Sequence, residues 1–189
     1  MLLGRQAAFR RLCHFWRWSL RTIVYVDGYN LYYGVLRKTA LKWLDLFALF
    51  QDHVLDSQAE LVEVRYYTAP VLGRMCDDIE SPQRQRQYLQ ALRKMYPEKI
   101  VIVEGKIIAT TPFQRLVEPL EAALATVRRY HPDIRLGLVA PIPGDDHRRI
   151  SKDLSQHAHW SKPLSAAHLK NAQLPDRIPH SSLKKPGAW

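Results

Sequence analysis

Asp27 is the residue whose type and place most suggest chemistry. It directly follows the β-branched run Thr22–Val26 and precedes Gly28. A carboxylate at the end of a buried apolar strand is a costly placement unless something uses it. Two uses stand open. The carboxylate can ligate Mg²⁺ or Mn²⁺, hard cations that prefer oxygen and keep several waters. Asn30, one helical turn on, can then hold that carboxylate or bind a phosphate oxygen. Alternatively, Asp27 caps the helix that follows by accepting from its free N–H groups, the commoner role for an isolated Asp-Gly-x-Asn.

Other residues add less. Glu104 ends a later strand and is a second candidate ligand, although a strand-edge charge explains it as well. Asp145 and Asp146 sit in a Pro-Gly loop beside His147, Arg148 and Arg149. With Lys152, that basic trio suits phosphate contact or a solvated turn. Tyr29, Tyr32, Tyr33, Tyr66 and Tyr67 can stack on bases, with at least half of them expected in the core. His157 and His159 lack a third ligand at zinc spacing. GxSxG, GxxxxGKS and GxGxxG are all absent, which removes the serine-hydrolase, P-loop and dinucleotide readings.

These residues need a scaffold. Thr22–Val26 reads as a strand, followed by helical patterns at 31–38 and 44–55. A second strand is predicted at Glu60–Tyr67. Ser81 and Pro82 open a helix to about Met95 as N-cap and first-turn proline. A strand at Lys99–Ile108, a helix at Arg115–Tyr130 and a strand at Ile134–Ala140 follow. The alternation indicates an α/β domain with a mostly parallel sheet, whose chemistry lies at the carboxyl ends of the strands. A short helix begins at Ser165, and a Pro-rich tail ends the chain.

The 189 residues suffice for one domain with tails, and 47% hydrophobic residues exclude wholesale disorder. Two cysteines far apart exclude a disulfide framework and fit a reducing cytoplasm. No apolar run approaches the ~20 residues of a membrane span, so no membrane insertion is expected. The net charge of +10 lies at the ends. Residues 1–22 hold five Arg and no acid, 147–189 carry +6, and 23–146 carry −1. Such ends attract polyanions, and single-stranded RNA is the first partner to expect. Residues 1–21 can be drawn as a basic amphipathic extension, 22–146 as the domain, and 147–189 as a basic region and tail.

The segment VDGYNLYYG at 26–34 resembles the opening motif of the NYN family, a branch of the PIN-like ribonucleases. VRYYTAP at 64–70, SPQRQRQYLQALR at 81–93, VEGK at 103–106, LVEPLEAAL at 116–124 and GLVAPIPGDDHRR at 137–149 fit the same family in order. So does a tail of LSQHAHW, AQLPD and KKPGAW. The resemblance implies a Rossmann-like three-layer fold and Mg²⁺- or Mn²⁺-dependent RNA cleavage, with Asp27 as metal ligand and Asn30 supporting it.

The departure matters equally. The family's E-K-x-x-D-V and S-N-D-S-D blocks are absent, and only nine residues separate Lys106 from Leu116. The domain therefore reads as internally shortened between 106 and 116, without one central strand and helix. Hydrolysis by hard metals needs several carboxylates. The expectation is an impaired ribonuclease, assembled as a homo-oligomer if a second copy lends acids. The alternatives are a non-catalytic RNA-binding or interaction protein, or a deletion product without stable function.

Overall fold

The computed structural model describes residues 19–71, 78–105, 119–141, 152–187 and 189. Strand β1 (Leu20–Asp27) leads into helix α1 (Gly28–Leu31), which widens into a π-helical turn at Tyr32–Leu36. Helix α2 (Leu46–Ala48) widens likewise over Leu49–Val54 and precedes β2 (Ala59–Thr68). Helix α3 (Ser81–Met95) and β3 (Ile100–Glu104) follow. The remaining elements are α4 (Pro119–Tyr130), β4 (Gly137–Ala140), α5 (Lys152–His157), β5 (Trp160–Pro163) and α6 (Ala166–Asn171).

The chain is a mixed α/β structure with parallel strands in open sheets. Strands β1, β2 and β3 form one parallel sheet in that order, and β4 pairs with β5 in a second. Strand β4 thus does not fill a place beside β1, whose outer edge has no partner strand among the described residues.

The core lies on one face of the first sheet. Val26, Val64 and Ile100 point into it, against Tyr88, Leu89 and Leu92 of α3 and against Trp43, Leu46 and Leu49. The α3 contacts recur at helical spacing, so one stripe of an otherwise polar helix is buried. Its N-cap is Glu80, one residue before the expected Ser81: the Arg84 N–H donates to the Glu80 carbonyl at 3.0 Å, and the Arg84 guanidinium pairs with Asp78 and Glu80 beside it.

Two sequence expectations shift here. The third strand spans Ile100–Glu104 with Gly105 outside it, and residues 106–108 of the expected strand lie outside the described residues. The short helix with its flanks supplies Leu164, Leu169 and Leu174 to the core, and the Pro-rich tail after it supplies Ile178. It is bound in place, with Trp43 Nε1 donating to the Pro175 carbonyl at 2.9 Å and Trp189 packing edge-on against Trp43.

Candidate functional site

The carboxyl ends of β1, β2 and β3 come together at one rim, where open α/β sheets bind ligands. The register aligns Asp27 with Tyr67 and Tyr67 with Val103, and puts Glu104 beside Thr68. Asp27 is extended (φ −80°, ψ 105°) and caps α1. Its Oδ1 accepts from the backbone N–H of Tyr29 at 3.0 Å and of Asn30 at 3.1 Å. Its Oδ2 accepts from Asn30 Nδ2 at 2.7 Å. The Asp27 cap is therefore formed, and the Asn30 amide holds the second carboxylate oxygen. The carboxylate remains exposed to solvent.

Behind Asp27 the backbone runs close to its neighbour. A Cβ on Gly28 would lie 2.6 Å from Tyr66 Oη and 2.8 Å from the Tyr67 carbonyl oxygen. Tyr66 is buried, and desolvation pushes its pKa up to about 12, opposed by a hydrogen bond with Thr68 and aided by the Asp27 charge. Gln85 of α3 fixes the exit of β2, donating to Thr68 Oγ1 and the Ala69 carbonyl while accepting from Val71 N.

Three tyrosines ring the rim with open faces. Tyr29 is 67% exposed, Tyr33 50% and Tyr67 41%. Tyr29 and Tyr33 lie 4.4 Å apart between centroids, and the Arg37 guanidinium stands 5.3 Å over Tyr33. Tyr66 and Tyr32 turn inward instead. The aromatic shelf was foreshadowed by the YNLYY run, but the contact of Gly28 with Tyr66 depends on strand register, which the sequence does not display.

A divalent metal does not suit this rim, and the expected Mg²⁺ or Mn²⁺ is corrected. Among the described residues no three His, Cys, Asp or Glu side chains stand together. Asp27 already accepts three hydrogen bonds. Glu104 is two strand spacings away, about 10 Å, and is paired with Arg93 at 2.6 Å. Asp145 and Asp146 lie outside the described residues, as do His147, Arg148 and Arg149 of the expected RNA contact; Lys152 begins α5. His159 Nδ1 accepts from Leu136 N at 2.9 Å, a structural tie next to β5.

No protein-family model matches the chain, and no solved structure matches it. The chain is similar to the 6-hydroxy-3-succinoylpyridine 3-monooxygenase HspA of Pseudomonas putida (strain DSM 28022 / S16). The two are 27% identical over 237 residues, covering 90% of this chain and 75% of that protein. Ninety per cent of this chain is about 170 residues, so roughly 67 positions of the match have no residue here. The likeness overturns the ribonuclease expectation. The relative's name describes insertion of oxygen into a small ring, and none of the described residues supports RNA binding. No helix of the described residues is long and apolar enough to cross a membrane.

Proposed function

We propose that the chain is a monooxygenase-type oxidoreductase acting on a hydroxylated aromatic heterocycle, built on an NYN-like, Rossmann-type scaffold. The observation that carries the activity is the similarity, along 90% of the chain, to an enzyme named for oxygenating a hydroxypyridine. The parallel β1-β2-β3 sheet and the VDGYNLYYG turn at its rim support the scaffold.

The rim suits such a substrate. Exposed faces of Tyr29 and Tyr67 offer flat apolar surface to a planar ring. Asp27 is a proton acceptor held in one orientation by Asn30 and two backbone N–H groups. A ring hydroxyl para to the carbon being oxidised raises electron density there once its proton leaves. Asp27 takes that proton, a role that requires reach of one hydrogen bond and contributes ~10²–10⁴ in rate.

At C3 of 6-hydroxy-3-succinoylpyridine, oxygen entry displaces the acyl chain that carbon carries: with O₂, four electrons and four protons, one oxygen atom becomes the new ring hydroxyl, the other leaves as water, and the chain departs as an aldehyde. A reduced flavin or nicotinamide is the usual electron source. The turn after β1 does not fit the pyrophosphate of such a dinucleotide. It has one glycine where the phosphate-binding turn needs three, and the space above Gly28 is filled by Tyr66 Oη. No step is therefore assigned to a bound dinucleotide at this turn.

The test is purified protein with 6-hydroxy-3-succinoylpyridine, FAD and NADH in air, following ring oxidation by mass spectrometry and substrate-dependent NADH loss. Turnover is expected, falling at least ~100-fold in Asp27→Asn with the fold unchanged. Single-stranded RNA with Mn²⁺ should stay intact in the same preparation. No substrate-dependent NADH oxidation with this compound or a panel of hydroxypyridines would refute the activity.

A further inference from the structure

Among the described residues, the first sheet has a second, bare face. The residues that alternate with the core-facing ones are Ile23 and Tyr25 on β1, Tyr67 on β2, and Val101 and Val103 on β3. They are between 39% and 63% exposed. Tyr25 and Tyr67 stack across the strands with centroids 6.4 Å apart. Parallel sheets are normally covered on both faces, because their strands are apolar on both. The relative carries some 67 residues in the matched span with no counterpart here, ample for a covering layer. This chain has to find its cover elsewhere.

We propose that the bare face is the interface for a second copy of this chain, related by a two-fold axis. The charges on the face select that occupant. Glu63 and Arg65 are paired on the middle strand, in register with Ile23 and Tyr25. A two-fold axis beside them sets Glu63 of one copy against Arg65 of the other, closing a four-charge ring with no net charge. A polyanion or an acidic protein would find no excess of positive charge here.

The apolar side chains expose on the order of 400 Å² per copy, within the range at which a patch marks an interaction site. With the charged pair and the strand ends, about 1,200 Å² is buried in total, the lower limit for a specific interface. An interface of this size sits at the weak, transient end of specific association. This is independent of the proposed chemistry, although Tyr67 borders both surfaces, so the partner would also wall one side of the rim.

The test is sedimentation equilibrium on the full chain between about 2 and 100 µM. The mass should rise from the 22.0 kDa of one chain toward twice that value. Val101→Glu should weaken association at least tenfold with an unchanged circular dichroism spectrum. Glu63→Arg and Arg65→Glu should each weaken it, and the double exchange should restore it. A monomer at every concentration overturns the proposal, including one whose face is covered by residues 1–18. A dimer indifferent to Val101→Glu, or not restored by the double exchange, overturns it equally.

Discussion

Gly28→Ala tests whether the tight approach behind Asp27 holds the rim together. The added Cβ would meet Tyr66 Oη at 2.6 Å, Tyr66 Cζ at 2.7 Å and the Tyr67 carbonyl oxygen at 2.8 Å. Neither neighbour is free to yield. Tyr66 is 8% exposed and packs edge-on against Tyr88, and the Tyr67 carbonyl is sheet backbone. Overpacking of this kind costs ~1–3 kcal/mol, and three contacts below 3 Å place the cost near the top of that range. Alanine recovers ~0.4–1 kcal/mol by restricting the unfolded chain. The net loss is about 2 kcal/mol, or a Tm lowered by roughly 4–8 °C for a chain of this length. Tyr66→Phe removes the nearest contact but leaves the carbonyl. The double variant should therefore recover only part of the loss, with a coupling of ~0.5–1 kcal/mol. Thermal unfolding of the four proteins in the cycle measures it. A Gly28→Ala protein as stable as the parent would refute the close approach, and with it the register that aims Asp27.

Alkaline pH should weaken the fold. Burial holds the Tyr66 phenol protonated up to about pH 12 and pushes that of Tyr88 well above its ordinary value, whereas in the unfolded chain both ionise near 10. Stability should be level below about pH 9 and fall as pH rises above 10, by ~1.4 kcal/mol per pH unit for Tyr66 alone. Urea midpoints from pH 8 to 11.5 report this, and Tyr66→Phe should flatten the slope. Asp45→Ala should cost roughly 2–3 kcal/mol. It deletes the cap on Ala48 N at 3.0 Å and strands the Tyr96 hydroxyl, which donates to Asp45 Oδ2 at 2.8 Å. Asp45→Asn keeps an oxygen acceptor for Ala48 N and offers its amide N–H to the Tyr96 hydroxyl oxygen in place of the lost acceptor, so it should cost less than half as much in denaturant titrations.

The strands and the long helix were legible because their signals are local. The Thr22–Val26 run and Glu60–Tyr67 mark β1 and β2 to within two residues, the ladder itself adding the flanks. Helix α3 showed its proline and its apolar stripe. Strand β5 was hidden: Trp-Ser-Lys-Pro has no β signature and forms by pairing with β4. The core residues of the short last helix, its flanks and the tail were also hidden, because Leu164, Leu169, Leu174 and Ile178 stand singly among polar neighbours and acquire meaning only against Trp43. At the site, the Asp27–Asn30 contact follows from one helical turn of spacing. Its chemistry did not follow, since a capped strand-end carboxylate looks the same whether it faces a metal, a phosphate or a ring hydroxyl.

The long-range clasp around Trp43 has a consequence for how the protein is made. Trp43 Nε1 reaches Pro175, the Leu174 N–H donates to the Trp43 carbonyl, and the Asp45 N–H donates to the Ala172 carbonyl. At synthesis rates of ~5–20 residues per second, roughly 7–26 s separate the emergence of Trp43 from that of its cover. Throughout that interval Trp43, Leu44, Leu46 and Leu49, each fully buried in the finished fold, have nothing of the tail to rest on. The nascent chain thus presents a sticky surface to the ribosome's surroundings until residues 164–178 have emerged, making its yield in cells sensitive to chaperone supply and to translation speed.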